Sequence, residues 1–230
     1  MDFDLGPLLF TASTWVLPVL FAITLHEAAH GYVAWQLGDD TAYRQGRVSF
    51  NPLKHVDPFG TVILPALLFL IRAPFLFGWA KPVPVAFGRL RRPRRDMILV
   101  AAAGPAANLI LATVSAIGFH IVPLLPIPVA EWVAATLEKS ILINLILAVF
   151  NMLPLPPLDG GRVAVGLLPR PLAMQLARLE RYGFLILIGL IFLLPLLGRQ
   201  VGIDLNVFTV LIWTPVSWML PFFLALAGFG

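Results

Sequence analysis

The chain has 230 residues, of which 59% are hydrophobic and only 12% charged, with a mean hydropathy of +0.90 and a net charge of +4. A soluble domain is about 45–50% apolar and 25% charged, so this composition excludes an ordinary water-soluble globule and implies an integral protein of the lipid bilayer. The absence of cysteine excludes disulfides and thiolate metal ligands, and arginines clustered beside apolar segments mark membrane topology, not nucleic-acid binding.

The first predicted span runs over 7–37, with Pro7 suited to a first helical turn, Pro18 inside and Gly38 at the end. Asp2 and Asp4 stand where a signal peptide carries basic residues, so the span is expected to stay attached. Residues 7–25 hold no charge, and the run then meets His26-Glu27-Ala28-Ala29-His30. On a helix the two histidines lie one turn apart on the same face. Two imidazoles so placed can hold Zn²⁺, and Glu27 lies beside them to take a proton from water that the metal activates. An ionisable group at this depth costs about 2.5–3.5 kcal/mol on insertion scales, so it needs a partner or a task. The pattern also arises by chance, and it requires a third ligand.

Residues 38–57 are polar, and the alternation in Gln45–Phe50 predicts a short strand. Residues 58–78 are apolar but broken by Gly60, Pro65, Arg72, Pro74 and Gly78, which predicts a short or re-entrant membrane segment. An extended stretch, Ala80 to Val85, precedes the basic run Arg89, Arg91, Arg92, Arg94 and Arg95, read as a topology anchor. Further spans are predicted at 97–120, 135–153, 182–198 and 205–227, with a proline-rich loop at 121–130 and a basic helical segment at 162–181. The expected fold is an all-α polytopic membrane protein of about five to six transmembrane helices plus the re-entrant or short-strand segment. It is read as one membrane-embedded domain over 1–230, with a core at about 7–165 and accessory terminal helices at about 182–227. No internal repeat is visible.

Placing 38–57, 79–96 and 160–181 in the cytoplasm puts thirteen of the 16 basic residues on that side and leaves only Arg72, Lys139 and Arg199 elsewhere. The N-terminus is then outside, and 58–78 must return to the side it left. Asp159 becomes the candidate third ligand. It follows a span, sits in the break Leu153-Pro154-Leu155-Pro156-Pro157-Leu158-Asp159-Gly160-Gly161, and approaches the face that the histidines approach. Two histidines and a carboxylate leave a fourth zinc position for water. In isolation, a turn aspartate followed by glycines is the competing reading.

The pairing of His26-Glu27-Ala28-Ala29-His30 with Asn151-Met152-Leu153-Pro154 through Asp159-Gly160-Gly161 resembles the site-2 protease family of intramembrane zinc metalloproteases. Gly104-Pro105-Ala106-Ala107-Asn108 resembles that family's Gly-Pro-x-x-Asn element. Asn51-Pro52-Leu53-Lys54-His55-Val56-Asp57-Pro58 and Gly78-Trp79-Ala80-Lys81-Pro82-Val83-Pro84-Val85 look like its compact bacterial branch. The resemblance implies His26, His30 and Asp159 as zinc ligands and Glu27 as general base. It matches Asn151 to an asparagine that donates to the developing oxyanion, the alternative being a tie between spans. His55 is read either as a catalytic-site residue, binding substrate or stabilising the tetrahedral intermediate, or as a loop cap against Asp57. Asn108 is expected to bond between helices, and His120 to be interfacial.

The activity so implied is endoproteolysis of a transmembrane protein substrate near the cytoplasmic side of the inner (plasma) membrane, often after another protease has trimmed it. A helical substrate must unwind first, and 45–50 and 82–88 offer a strand edge for it. The chain has no room for a PDZ or CBS insertion, so gating falls to the spans, to 58–88, or to a regulatory membrane partner. Two other readings stay open from sequence: a zinc-holding scaffold without protease activity, and a metal transporter, against which stands the lack of internal symmetry.

Overall fold

The computed structural model describes residues 5–70, 78, 80–200, 202–203 and 205–229. Its long helices are α1 (Leu5–Gln36), α2 (Pro93–Gly118) and α3 (Ile127–Asn151), followed by the short α4 (Asp159–Leu167) and α5 (Arg170–Arg178). α6 (Glu180–Gln200) has a π-type turn at its middle, and α7 (Thr214–Leu226) continues a π-type turn over Thr209–Trp213. Among the described residues five helices are long and apolar enough to cross a membrane: Leu9–Gln36, Pro93–Leu124, Ile127–Asn151, Glu180–Gln200 and Thr209–Leu226. The all-α polytopic membrane fold expected from sequence is the fold observed.

Small side chains let the helices approach closely, as helices must where lipid provides no hydrophobic drive for their association. The buried stripe of α1 reads Thr14, Pro18, Ala22, His26, His30, Ala34, every fourth residue. The facing stripe of α2 reads Val100, Gly104, Asn108, Ala112, Ala116 at the same interval. The two helices run antiparallel, so Asn108 meets Ala22 and His26 while Val100 meets His30. α3 closes this three-helix core. Ile141 and Leu145 of α3 pack with Ala112 and Ala116 of α2 and with Ile212, Val216 and Phe223 of the last span. Large apolar side chains such as Phe21, Ile110, Val114 and Leu185 stay exposed on the outward faces, where lipid would meet them.

The end of α1 is a Schellman motif. Gly38 has φ +111°, its N–H donates to the Trp35 carbonyl, and the Asp39 N–H donates to the Ala34 carbonyl. Two Asx–Pro turns follow. Asn51 accepts from the Leu53 N–H and Asp57 from the Gly60 N–H, each just ahead of a helical turn opened by Pro52 or Pro58.

Two expectations change in detail, and a third falls outside the described residues. Gln45–Phe50 forms turns and bends, and no strand is present among the described residues. The alternation there misleads because Arg47 turns inward while Phe50 faces out, the reverse of an amphipathic strand. The basic segment 162–181 is divided at Leu168-Pro169 into separate helices. The re-entrant reading of 58–78 rests on 71–77, which lie outside the described residues, as do Arg72, Pro74 and Trp79; the described part is a π-type turn over Pro58–Ile63 leading into a helix over Leu64–Leu70.

Candidate metal centre

His26 and His30 belong to the packing stripe of α1, so burial of that stripe carries both imidazoles inward; they are 7% and 8% exposed. Asp159 stands in the first turn of α4 and is 7% exposed, a position where the helix dipole favours a carboxylate. α4 is fixed against α2 by Arg94, which donates to the Gly166 and Leu168 carbonyls. Gly160 lets the start of α4 lie against the backbone of Met152 and Leu153, where a Cβ would overlap. These contacts bring the two distant motifs together. His26 Nε2, His30 Nε2 and Asp159 Oδ2 form a triangle with edges of 3.0, 3.1 and 3.3 Å. Ligands in a tetrahedron of zinc-length bonds lie about 3.3 Å apart.

The hydrogen-bond partners fix the protonation around this triangle. His30 Nδ1 lies 2.7 Å from the Val100 carbonyl, which can only accept, so Nδ1 carries the proton and Nε2 a lone pair. His26 Nδ1 lies 2.7 Å from Asn108 Oδ1. The orientation of that amide is assigned by its Nδ2, which donates to the Ala22 carbonyl at 3.2 Å. His26 therefore also turns a lone pair inward. Asp159 Oδ2 is buried and accepts no hydrogen bond. Three acceptors face one another with no proton between them, an arrangement that a cation relieves. Gly104 of α2 forms one wall: a Cβ there would collide with His30 Nε2 and come within 2.6 Å of His26 Nε2. The donor set, the orphaned oxygen and the space kept by Gly104 all fit a metal ion held by two histidines and a carboxylate.

Glu27 is half-buried beside the triangle, within electrostatic reach of His30. Its Oε2 accepts the Val83 N–H at 2.6 Å. Val83 is the single N–H donor in Pro82-Val83-Pro84. The segment around it is strapped to the end of α1 and the following loop. Lys81 N–H donates to the His55 carbonyl, Arg47 donates to the Lys81 carbonyl at 2.6 Å, and the Ala86 N–H donates to Asp39 at 2.6 Å. His55 is 2% exposed, and its Nε2–H donates to the Ser49 carbonyl at 3.0 Å. Its Nδ1 is buried and unpartnered, and it does not cap Asp57, whose carboxylate accepts from Gly60. Burial, with the charges of Arg47 and Lys54, holds His55 below the ordinary histidine range, hence neutral.

Asn151 is half-buried at the end of α3, and its Nδ2 donates to the Leu147 carbonyl of its own helix at 3.1 Å. It does not tie two spans together through that bond. Asn108 does bridge helices, as expected. His120 Nε2 bonds the Leu226 carbonyl, far along the sequence from the cluster and away from it. Sequence reasoning missed the Val100 carbonyl, a backbone group that no side-chain pattern reveals. It also missed the steric role of Gly104, although the interval Val100–Gly104–Asn108 repeats that of His26–His30.

The fold and this cluster define a multi-pass membrane protein with a built His₂–carboxylate centre. The sequence model of Peptidase family M50 matches residues 120–196. A Bacillus subtilis protein named "Putative zinc metalloprotease YwhC" is 42% identical over 188 residues, covering 79% of this chain and 80% of that protein. "Putative zinc metalloprotease Rip2" of Mycolicibacterium smegmatis is 31% identical over 181 residues, covering 78% of this chain and 66% of that protein. No solved structure matches significantly. The chain belongs to peptidase family M50, the site-2 protease family, and is a membrane zinc metallopeptidase.

Proposed function

We propose that the protein is an intramembrane endopeptidase that cuts transmembrane segments of other membrane proteins in regulated intramembrane proteolysis. His26, His30 and Asp159 hold its zinc and Glu27 is its general base. The observation that carries the reading is the triangle of three lone-pair atoms within a bundle of membrane-spanning helices. Zinc, when bound, supplies Lewis acidity, polarising a peptide carbonyl and acidifying water. Glu27 then has a defined division of labour. Oε2 is held by the Val83 N–H, which leaves Oε1 to take a proton from the attacking water and pass it to the leaving amine.

Asn151 has a second Nδ2 hydrogen beyond the one given to Leu147, and we assign it to the carbonyl oxygen as that atom gains negative charge. For His55 the hydrogen bonding narrows the choice. With Nε2–H committed to Ser49, the free Nδ1 accepts, so His55 suits receipt of a substrate amide N–H and not stabilisation of an oxyanion. The extended strap 80–86 offers backbone groups to an unwound substrate, and its prolines limit how many amides can pair. The basic residues of 38–57, 79–96 and 160–181 support an active site facing the cytoplasm and insertion in the inner membrane. In this reading 1–230 is one domain, whose core at about 7–165 holds the chemistry and whose helices at about 182–227 are accessory.

The test is Glu27→Gln assayed on a membrane-embedded substrate in reconstituted vesicles. Cleavage falls by about 10²–10⁴-fold while bound zinc is retained; undiminished turnover contradicts the assignment.

A further inference from the structure

Asn144 lies on α3, 1% exposed, within a membrane-spanning helix and outside every motif that sequence singled out. A buried amide in such a place must have its polar atoms satisfied. Its Nδ2 donates to the Ser140 carbonyl at 2.9 Å, one turn back, and also lies 3.4 Å from Ser140 Oγ. A carbonyl can only accept, so this bond assigns the amide's orientation and turns Oδ1 toward α2. There Oδ1 accepts the Asn108 Nδ2–H at 2.8 Å. Asn108 is thus held at both of its N–H groups, by Ala22 on α1 and by Asn144 on α3, and its Oδ1 is left to face His26 Nδ1.

The polarity of this chain matters. With Asn144 absent, only the longer 3.2 Å bond to the Ala22 carbonyl holds Asn108 against turning its amide over and presenting Nδ2–H to His26 Nδ1. That would make Nδ1 the acceptor and move the imidazole proton to Nε2, the atom that faces Asp159. An imidazole protonated there cannot ligate at that nitrogen. Asn144 opposes the turn, because a reversed Asn108 would set two amide oxygens against each other. We propose that Asn144 is a positioning residue for the zinc ligand His26, acting through Asn108 to fix its tautomer and ring orientation. The proposal rests on the ligand assignment made above.

The test measures zinc affinity of the full-length protein in detergent by chelator competition, with the thermal midpoint of the zinc-free form recorded alongside. Asn144→Leu removes the acceptor. Asn144→Ser is too short to reach Asn108 but can bond back to the Ser140 carbonyl as serines in helices do, which keeps a folding variant available. Loss of such outer-shell support costs about 10-fold or more in metal affinity, and that is the weakening expected for both. Ser115→Ala removes a bond farther along the same polar chain, the 2.7 Å contact with Ser140 Oγ. It is expected to lower the thermal midpoint while leaving zinc affinity within about twofold, since it lies beyond the carbonyl that orients Asn144. Adding Asn144→Ser to Asn108→Leu is expected to cost nothing further in zinc affinity. Wild-type affinity in a folded Asn144 variant, or additive losses in the double variant, overturns the proposal. A wild-type protein that binds no zinc overturns the ligand assignment and this proposal together.

Discussion

Two buried carboxylates near α1 are treated in opposite ways. Asp39, at the end of the helix and 0% exposed, accepts from the Thr41 N–H, the Thr41 hydroxyl and the Ala86 N–H. Asp159 is buried as well, yet its Oδ2 accepts nothing and faces two imidazole lone pairs. A buried carboxylate surrounded by donors is a clamp, and Asp39 clamps the strap 80–86 to α1. One surrounded by acceptors is suited to hold a cation. Glu27 stands between these cases, with one oxygen held by Val83 N–H.

The sharpest way to separate the two is Asp39→Ala. It strands the Ala86 and Thr41 N–H groups and costs about 2–3 kcal/mol of stability, read as a lower thermal midpoint in detergent, with zinc affinity unchanged. The same residue gives a pH signature. Burial opposes ionisation of Asp39, but the Thr41 hydroxyl, the Ala86 and Thr41 N–H groups and Arg89 outweigh it and hold its carboxyl below the usual range. Its stabilisation is therefore complete above the unfolded value of about 3.9 and is lost as pH falls through the lower folded value. Thermal midpoints measured from pH 5 downward fall more steeply for wild type than for Asp39→Ala; parallel curves contradict the clamp.

Gly104→Ala tests the other side of the comparison without replacing a residue of the triangle. Its Cβ would press on both imidazoles, and the expected result is zinc binding weakened by about 10- to 100-fold. Unchanged affinity would mean that the wall does not shape the cluster. The smallest expected effect has the more telling sign. Asp159→Asn replaces one of three facing acceptors with a donor, so the zinc-free variant should be as stable as the zinc-free wild type or more so, by up to about 1 kcal/mol. A clear loss of stability in the zinc-free variant would place Asp159 with Asp39 as a structural carboxylate.

The chemistry-bearing side chains were legible because their types and spacings are unusual in an apolar chain: His26 and His30 one turn apart, Asp159 ahead of two glycines. The bundle was legible because its spans are long and strongly apolar, with few charged residues in each. What sequence could not supply is the set of partners that gives those side chains their protonation. The Val100 carbonyl carries no side-chain signature, and the Val83 N–H emerges only from a flanking pair of prolines. Asn144 looks like any isolated amide in a span until its partner on α2 is known. The strand expected at Gln45–Phe50 failed for a related reason. Periodicity reports polarity along the chain, but Arg47 is buried by its bond to the Lys81 carbonyl, and that partner lies 34 residues away.

Metal analysis of purified protein, wild type against Asp159→Ala, tests most directly whether the two motifs form one centre. Wild-type protein is expected to carry about one zinc per chain and a folded variant less than about a tenth of that, since one of three proposed protein ligands is removed. A folded Asp159→Ala protein carrying as much zinc as wild type would contradict it.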